Sequence, residues 1–398
     1  MRLAFLADAR SAIAINWVRW FTEHGHEVHW ISSRRTPPPL EGLASFRVLS
    51  LFPEFPAGIT PPRNSKFLHP ATTLLRHWLI PFRIGSRARL LDAMLRNIQP
   101  ELLHAMRIPQ EGMTAAASKR MTTGGKRIPL VVSVWGDDFT YHARSSPMMA
   151  NLTRQTVTRT DALHSDCQRD IRLAQEWGLR IGAKTLVTPG NGGVRSSLFF
   201  RATPDDVLVK RFNLPRDAFF ILNPRGIRGV ARTDTFFKAI PIIIQKVPAA
   251  HFLALRMEGA DIAKHWIQKL NLGSRVTLLP ALVQEDMARL FRLAPITLSL
   301  TEHDGVPNVL LESMACGSFP ICGDLESIRE WIEPGKNGLL VSPGDADAVA
   351  DAVVHASRDD ALREEAAQRN QKIIAERAEW NSVMSRVKLF YDAAVMAG

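Results

Sequence analysis

A chain of 398 residues is too long for one ordinary hydrophobic core, so two domains of roughly 200 residues each are expected. With 46% hydrophobic and 22% charged residues it has the make-up of a soluble globular protein, and no run approaches the ~20 apolar residues of a membrane span. A formal net charge of +11 asks for an anionic partner without naming it. Cys167, Cys316 and Cys322 fit no disulfide framework or zinc spacing and suit a reducing cytoplasm, and Asp8 falls where a signal peptide would continue its apolar run. A cytoplasmic protein is expected, with no nucleic-acid partner.

The chain opens on an apolar run, Arg2–Leu6, that reads as a buried parallel strand. An amphipathic helix over 15–23 follows, with Trp17, Val18 and Phe21 as its core stripe, and the strand EVHWIS comes after Gly25. This is a βαβ unit, but its loop lacks the glycine spacing of a dinucleotide site. His24 and His26 read as turn or surface histidines. Residues 37–62 are rich in proline and read as a loop. From 63 to 96 the chain is basic, with Arg63, Lys66, Arg76, Arg83, Arg87, Arg89 and Arg96 against Asp92, and with Phe67, Trp78 and Phe82 interleaved. Such a stretch suits an anionic membrane surface or a phosphorylated partner, and equally a solvated basic helix packed on one side.

Further strands are expected over 102–104, which places His104 at a carboxyl edge, and from 130, leaving through Trp135, Gly136, Asp137 and Asp138. A metal reading of Asp137 and Asp138 is set aside, because neighbours on a loop point apart and no other ligands cluster with them. ALHSDCQRDIRLAQEWGL reads as strand, cap (Ser165 or Asp166), helix and stop at Gly178. The strand TLVTPGNGGV precedes a linker near 195–216. A second alternating half then runs through strands near 218–223, 251–257 and 276–280, with helices over 259–270 and 284–293. Asp345 and Asp347 stand at a helix entry and read as caps.

The most informative stretch is ITLSLTEHDGVPNVLLESMACG, residues 296–317. It reads as a buried strand, a polar turn and an apolar helix that carries Glu312 and ends near Gly317. Ligands of open parallel sheets bind beyond the carboxyl ends of strands, beside the unpaired N–H groups of the next helix. Asp304 stands at the mouth of this loop and Glu312 eight positions on; two carboxylates so placed suit the hydroxyls of a sugar and of a ribose, since a charged acceptor makes strong hydrogen bonds.

DGVPNVLLESMACGSFPICGD resembles the E-x7-E signature of the retaining glycosyltransferases of family 4, with Asp304 in place of the usual first Glu and Glu312 matching the second. The resemblance implies the GT-B fold: two facing Rossmann-like, doubly wound parallel-sheet domains, with the active site in the cleft and the last helix crossing back to the first domain. Residues 1–200 would form the acceptor side, 201–378 the nucleotide-sugar domain and 379–398 the returning helix. Asp304, Arg225, Arg228, Asp138 and His104 are then the expected catalytic residues. Arg225 matches the family's diphosphate-clamping Arg, and Arg228, with Arg232 as the alternative, stands in for its Lys. Asp138 and His104 take the acceptor-side positions, although His104 also suits the core. The donor would lie against Glu312, Gly305, Val306, Pro307, Asn308 and Val309, with its base near Leu282 and Val283. Pro-Gly-Asn-Gly-Gly resembles the turn that closes the family's first domain, with Arg195 where an acid usually stands.

The implied reaction transfers a sugar from a nucleotide donor, a UDP- or GDP-sugar, with retention of configuration and no required metal. It would serve glycan, glycolipid or cell-envelope synthesis, on a lipid-linked or phosphorylated acceptor at the inner face of a membrane. A GT-B epimerase or phosphorylase, or a non-catalytic scaffold that binds nucleotide sugars, are the alternatives.

Overall fold

The computed structural model describes residues 1–49, 68–227 and 229–397, with the backbone alone for 68–82. The chain divides into two α/β units, Met1–Gly192 with Met384–Gly398, and Gly193–Val383.

In the first unit, β1 (Arg2–Leu6), β2 (Glu27–Ser32), β3 (Ser45–Val48), β4 (Leu102–Met106), β5 (Leu130–Val134), β6 (Ala162–Ser165) and β7 (Lys184–Val187) pair in parallel, in the order β3-β2-β1-β4-β5-β6-β7. The central strands are near-continuous apolar runs because helices cover both faces of such a sheet. β3 lies in the stretch expected to be loop: it is short, at the sheet edge and only half-buried, so it carries no apolar signal. The basic stretch forms the end of a helix, Leu68–Ile98, whose residues Ile84, Leu91, Leu95 and Ile98 face the core. Asp92, its lone acid, is structural and accepts from the backbone N–H groups of Lys119 (2.9 Å) and Arg120 (3.1 Å). Arg83, Arg89 and Arg96 are exposed, whereas Arg63, Lys66 and Phe67 and the side chains of Arg76, Trp78 and Phe82 lie outside the described residues. The helix expected after Ser165 runs from Gln168 to Glu176 with Cys167 at its N-cap, so neither Ser165 nor Asp166 holds that place.

His104 corrects its expected position. β4 runs on to Met106, so His104 is mid-strand and fully buried. Its Nδ1 meets the Tyr391 hydroxyl at 2.5 Å and its Nε2 the Ser133 hydroxyl at 2.8 Å. The chain of contacts continues from Ser133 to His164 (2.9 Å) and from His164 to Thr188 (2.9 Å). Trp17 packs edge-on against both histidines, and Tyr391 stacks on Phe21. Tyr391 belongs to the last helix, Trp380–Met396, which starts in the second unit and ends in the first.

The second unit holds β8 (Phe219–Asn223), β9 (Ala250–Leu255), β10 (Val276–Leu279), β11 (Ile296–Ser299), β12 (Phe319–Gly323) and β13 (Leu339–Val341) in the order β10-β9-β8-β11-β12-β13, all parallel. Phe236, Phe237, Phe252 and Phe319 anchor its core. Gly193 (φ 106°) opens this unit: a Cβ there would lie 2.5 Å from the Ala378 carbonyl oxygen, beside the bridge that joins Val194 to Glu379. That explains the last glycine of the Pro-Gly-Asn-Gly-Gly turn.

The histidine relay sets a pH dependence. Burial pushes His164 down to about 3 and His104 well below its usual value, so both are neutral in the folded chain. Below the unfolded value of about 6.5 the unfolded chain takes up a proton that folded His164 refuses. Stability is therefore full above that pH and falls as the pH drops towards 3, by up to ~1.4 kcal/mol per unit from His164 alone. Urea unfolding at pH 7.5, 6, 5 and 4 should show this slope, and His164→Gln should flatten it; an equal slope in both would contradict the assignment.

Candidate active site

Each sheet reverses its strand order once. In the second unit the reversal lies between β8 and β11, and their carboxyl ends are where a doubly wound sheet forms its ligand crevice. Arg225 leaves β8 and Asp304 follows β11, and the two form an ion pair through Arg225 Nη2 and Asp304 Oδ2. Arg225 is held by its backbone N–H to Asn223 Oδ1 (3.1 Å), and its side chain is only 9% exposed. Asp304 Oδ1 accepts from the Gly305 N–H at 3.0 Å, and the Asp304 carbonyl accepts from the Ser327 hydroxyl at 2.9 Å. Buried Arg225 Nε has no hydrogen-bond partner among the described residues.

The two exit loops are laced together. Ala231 and Thr301 form an antiparallel bridge, with the Arg232 N–H donating to Leu300 O and the Glu302 N–H to Val230 O, each at 3.0 Å. The Arg232 side chain is committed here as well, to Asp234 (2.9 and 3.0 Å) and Glu302 (2.6 Å). It is thus a clasp between the loops, and Arg228, the preferred stand-in for the clamping Lys, lies outside the described residues.

Gly305, Val306 and Pro307 are buried and lead into the helix Asn308–Cys316, which begins with no side-chain cap. The Leu310 N–H donates to the Pro307 carbonyl at 3.0 Å, and the N–H groups of the first turn ahead of it suit an anion. Val309 lies in that first turn. Glu312, one turn on, is partly buried; burial pushes its carboxyl up to about 7, against the pull of Arg195 and Arg256. Arg195 itself pairs with Gln284 Oε1 at the start of the helix after β10. Leu282 is half-buried and Val283 is 63% exposed on the β10 exit loop, an apolar surface of the kind a base can cover.

Arg256 was not anticipated. It follows β9 in the left-handed region (φ 58°), which ordinary residues avoid, and packs against Gly226 of the β8 loop. The sequence reading placed it inside the strand expected over 251–257, whereas β9 ends at Leu255.

In the first unit the reversal lies between β1 and β4. A cavity of about 610 Å³ opens there, lined among others by Asp8, Arg34, Arg107, Glu111 and Trp135. Asp138 is not among the residues that line it. It is fully buried, pairs with Arg107 Nε at 3.0 Å, and accepts from the N–H groups of Ile108 (3.1 Å) and Trp135 (3.2 Å). Burial lifts its carboxyl to about 6 although Arg107 opposes this. Arg107 also holds Asp137 at 2.9 Å, so a guanidinium spans the two acids. Asp138 therefore braces the β4 and β5 exits, and His104 sits inside the sheet core with both ring nitrogens engaged. Asp345 accepts from the N–H groups of Asp347 and Ala348, 3.0 Å each, as a helix cap does.

Two family models match, one to each unit: "Glycosyl transferase 4-like" over residues 2–167 and "Glycosyl transferases group 1" over 227–359. N-acetyl-alpha-D-glucosaminyl L-malate synthase of Bacillus anthracis is 25% identical over 374 residues, covering 93% of this chain and 90% of that protein. A D-inositol 3-phosphate glycosyltransferase of Thermomonospora curvata is 24% identical, but the match spans 53% of this chain and about half (49%) of that relative. Among solved structures, sucrose-phosphate synthase of Thermosynechococcus elongatus superposes with a TM-score of 0.77 at 15% identity, covering 100% of both chains. Anabaena HepE in complex with UDP-glucose gives 0.75 at 14%, covering 99% of this chain and 100% of that one. The family models make this a glycosyltransferase, and its fold is GT-B. Within that class the chain belongs to glycosyltransferase family 4.

The Glu312 environment makes a prediction. An ionised carboxylate is the stronger acceptor for a ribose hydroxyl, so nucleotide affinity should rise as the pH passes through 7, about tenfold between pH 6 and 8. Glu312→Gln should flatten that profile and weaken binding by roughly 1.5–3 kcal/mol, read by calorimetric titration with UDP and GDP. A wild-type profile no steeper than the variant's would remove Glu312 from the nucleotide site.

Proposed function

We propose that the chain is a retaining hexosyltransferase that takes a sugar from a UDP- or GDP-sugar bound at the carboxyl edge of the second sheet. The observation that carries this reading is the Arg225–Asp304 pair at the strand-order reversal, with Glu312 one turn into the following helix. Glu312 accepts the ribose hydroxyls, the first turn Asn308–Val309 receives the diphosphate, and Leu282 and Val283 cover the base. HepE in complex with UDP-glucose has the same fold, which favours a uridine donor.

Chemistry then rests on charge placement. The diphosphate gains negative charge as the glycosidic bond breaks, and Arg225, already desolvated, meets it at little reorganisation cost. Asp304 holds a sugar hydroxyl and orients the anomeric carbon for attack from the face the phosphate leaves. The departing phosphate takes the acceptor proton, and no metal enters the scheme. Arg228 remains the proposed second cation of the clamp.

The acceptor is lipid-linked or phosphorylated, and the synthesis is of glycan, glycolipid or cell-envelope material in the cytoplasm. No helix among the described residues is long and apolar enough to cross a membrane. The exposed Arg83, Arg89 and Arg96 offer peripheral attachment to anionic lipid, at ~1 kcal/mol each.

Screening UDP-, GDP- and ADP-sugars for thermal stabilisation tests the donor class, and anomeric analysis of the product tests retention; an inverted product or no donor binding would end the reading. Arg225→Ala should lower turnover by ~10²–10³, because it removes charge compensation in the transition state. Asp304→Asn should depress transfer more than nucleotide affinity, and equal losses would mean the acid serves the nucleotide instead. Anionic but not neutral liposomes should sediment the chain at low salt and release it at high salt, and changing Arg83, Arg89 and Arg96 to Gln should abolish the difference.

A further inference from the structure

The amino ends of the first sheet gather positive charge around a single acid. Asp161 stands immediately before β6, and its Oδ2 accepts from the N–H of Leu130, the first residue of β5, at 2.9 Å. The same oxygen takes Arg120 Nη1 at 2.9 Å, while Oδ1 takes Arg127 Nη2 at 2.8 Å and Arg180 Nη2 at 2.9 Å. Three guanidiniums thus share one carboxylate, and no other acid pairs with any of them among the described residues. Asp92 is taken up by the backbone N–H groups of Lys119 and Arg120.

The three arginines are not equivalent. Arg120 is 4% exposed, and its Nη1 and Nη2 also donate to the carbonyls of Ile128 (3.5 Å) and Arg159 (3.2 Å). Its backbone lies in the left-handed region (φ 53°), which ordinary residues avoid, and its buried Nε has no partner among the described residues. Burial pulls the Arg120 pKa down, and the charges of Arg127 and Arg159 add to this against the pull of Asp161. Arg120 and the Leu130 N–H therefore hold Asp161 in place without further help. Arg127 and Arg180 have side chains about half exposed, 49% and 53%, and donate to the protein through Nη2 alone: Arg127 to Asp161, Arg180 to Asp161 and to the Thr160 carbonyl (3.2 Å). A guanidinium carries five N–H donors in one plane, so each keeps its Nε and Nη1 donors for something other than the protein.

We propose that Arg127 and Arg180 form an anion site for a phosphate monoester at the amino edge of the first sheet. A monoester carries about two negative charges and so matches the two guanidiniums that the shared carboxylate leaves uncompensated. Planar forks of this kind bind phosphate oxygens in pairs. All seven strands are parallel, so this edge is the opposite one from the first-unit cavity, and the site does not depend on the transferase reading. The monoester belongs to a small soluble compound or to the headgroup of a lipid such as phosphatidic acid.

The test is calorimetric titration of the full chain at saturating UDP, which keeps the probe from the nucleotide's phosphate positions. The probes are glycerol 3-phosphate and glycerol, with sodium chloride holding the ionic strength constant. Glycerol 3-phosphate should bind and glycerol should not. Arg127→Gln combined with Arg180→Gln should weaken that binding by about tenfold or more, as the loss of a hydrogen bond to a charged group does, and leave UDP affinity unchanged. Sedimentation with phosphatidic acid vesicles is the lipid arm. A loss in the double variant confined to the vesicles assigns the anion to a lipid; a loss in the titration, with or without the vesicles, assigns it to a soluble ester. Equal binding by wild type and double variant in both arms would overturn the proposal, and so would a parallel loss of UDP affinity. Should the double variant lose its thermal transition, Arg180→Gln alone is read in its place, with the same direction expected and the same result overturning the site.

Discussion

Everything at the second edge depends on one reversal of strand order. A parallel sheet that winds outwards in both directions from the β8–β11 pair leaves the exits of those two strands diverging. Two polar side chains entering that gap are partly stripped of water and must answer each other, which is why Arg225 and Asp304 pair across 79 residues of sequence. The zipper of Ala231 with Thr301, and Arg232 clasped to Asp234 and Glu302, fixes the two loops so that the pair has little freedom to separate. The uncapped helix Asn308–Cys316 then begins from one of those fixed loops.

The first unit repeats the topology but spends its charges differently. Arg107 is held by two acids, one of them fully buried, and this brace sets the path from β4 to Glu111. Behind it the sheet interior is crossed by the Tyr391–His104–Ser133–His164–Thr188 relay, in which every ring nitrogen has a partner. A fully satisfied polar network of this type specifies register and neighbour, because a slip would leave buried donors unpaired. It also ties the end of the last helix to the first sheet through Tyr391.

What the sequence made legible follows from locality. β1, β2, β5, β11 and the helices after β10 and β11 were readable because burial on both faces writes a continuous apolar run, bounded by turn residues. β3 and β13 were not, since edge strands of three or four half-buried residues leave no such run. Glu312 and Asp304 were legible through their spacing around one strand–loop–helix. His104 was misplaced because LLHAM is apolar on both sides of it, and nothing local marks where the strand ends. The contact of Asp138 with Arg107 was not legible because the two lie 31 residues apart, and Arg256, Arg34 and Glu111 gain meaning only when separate strand ends converge.

The two edges also differ in what they leave unsatisfied. A guanidinium has five N–H donors, and burying one without a partner carries the cost of its lost water. Arg107 Nε faces the Asp138 carboxylate, but Arg225 Nε is buried with no partner while its Nη2 is held by Asp304. Thr301 and Ser299, on the β11 exit and strand, likewise carry buried hydroxyl oxygens without partners. Folding alone gives no reason to keep three such costs along two neighbouring strand ends, because a smaller or apolar side chain at each would avoid them. Local conflicts of this kind concentrate where a sequence answers to a ligand as well as to its own core. On the proposed reading the second edge meets a polar ligand, and Arg225 is the cation whose hydrogen bonding that ligand would complete.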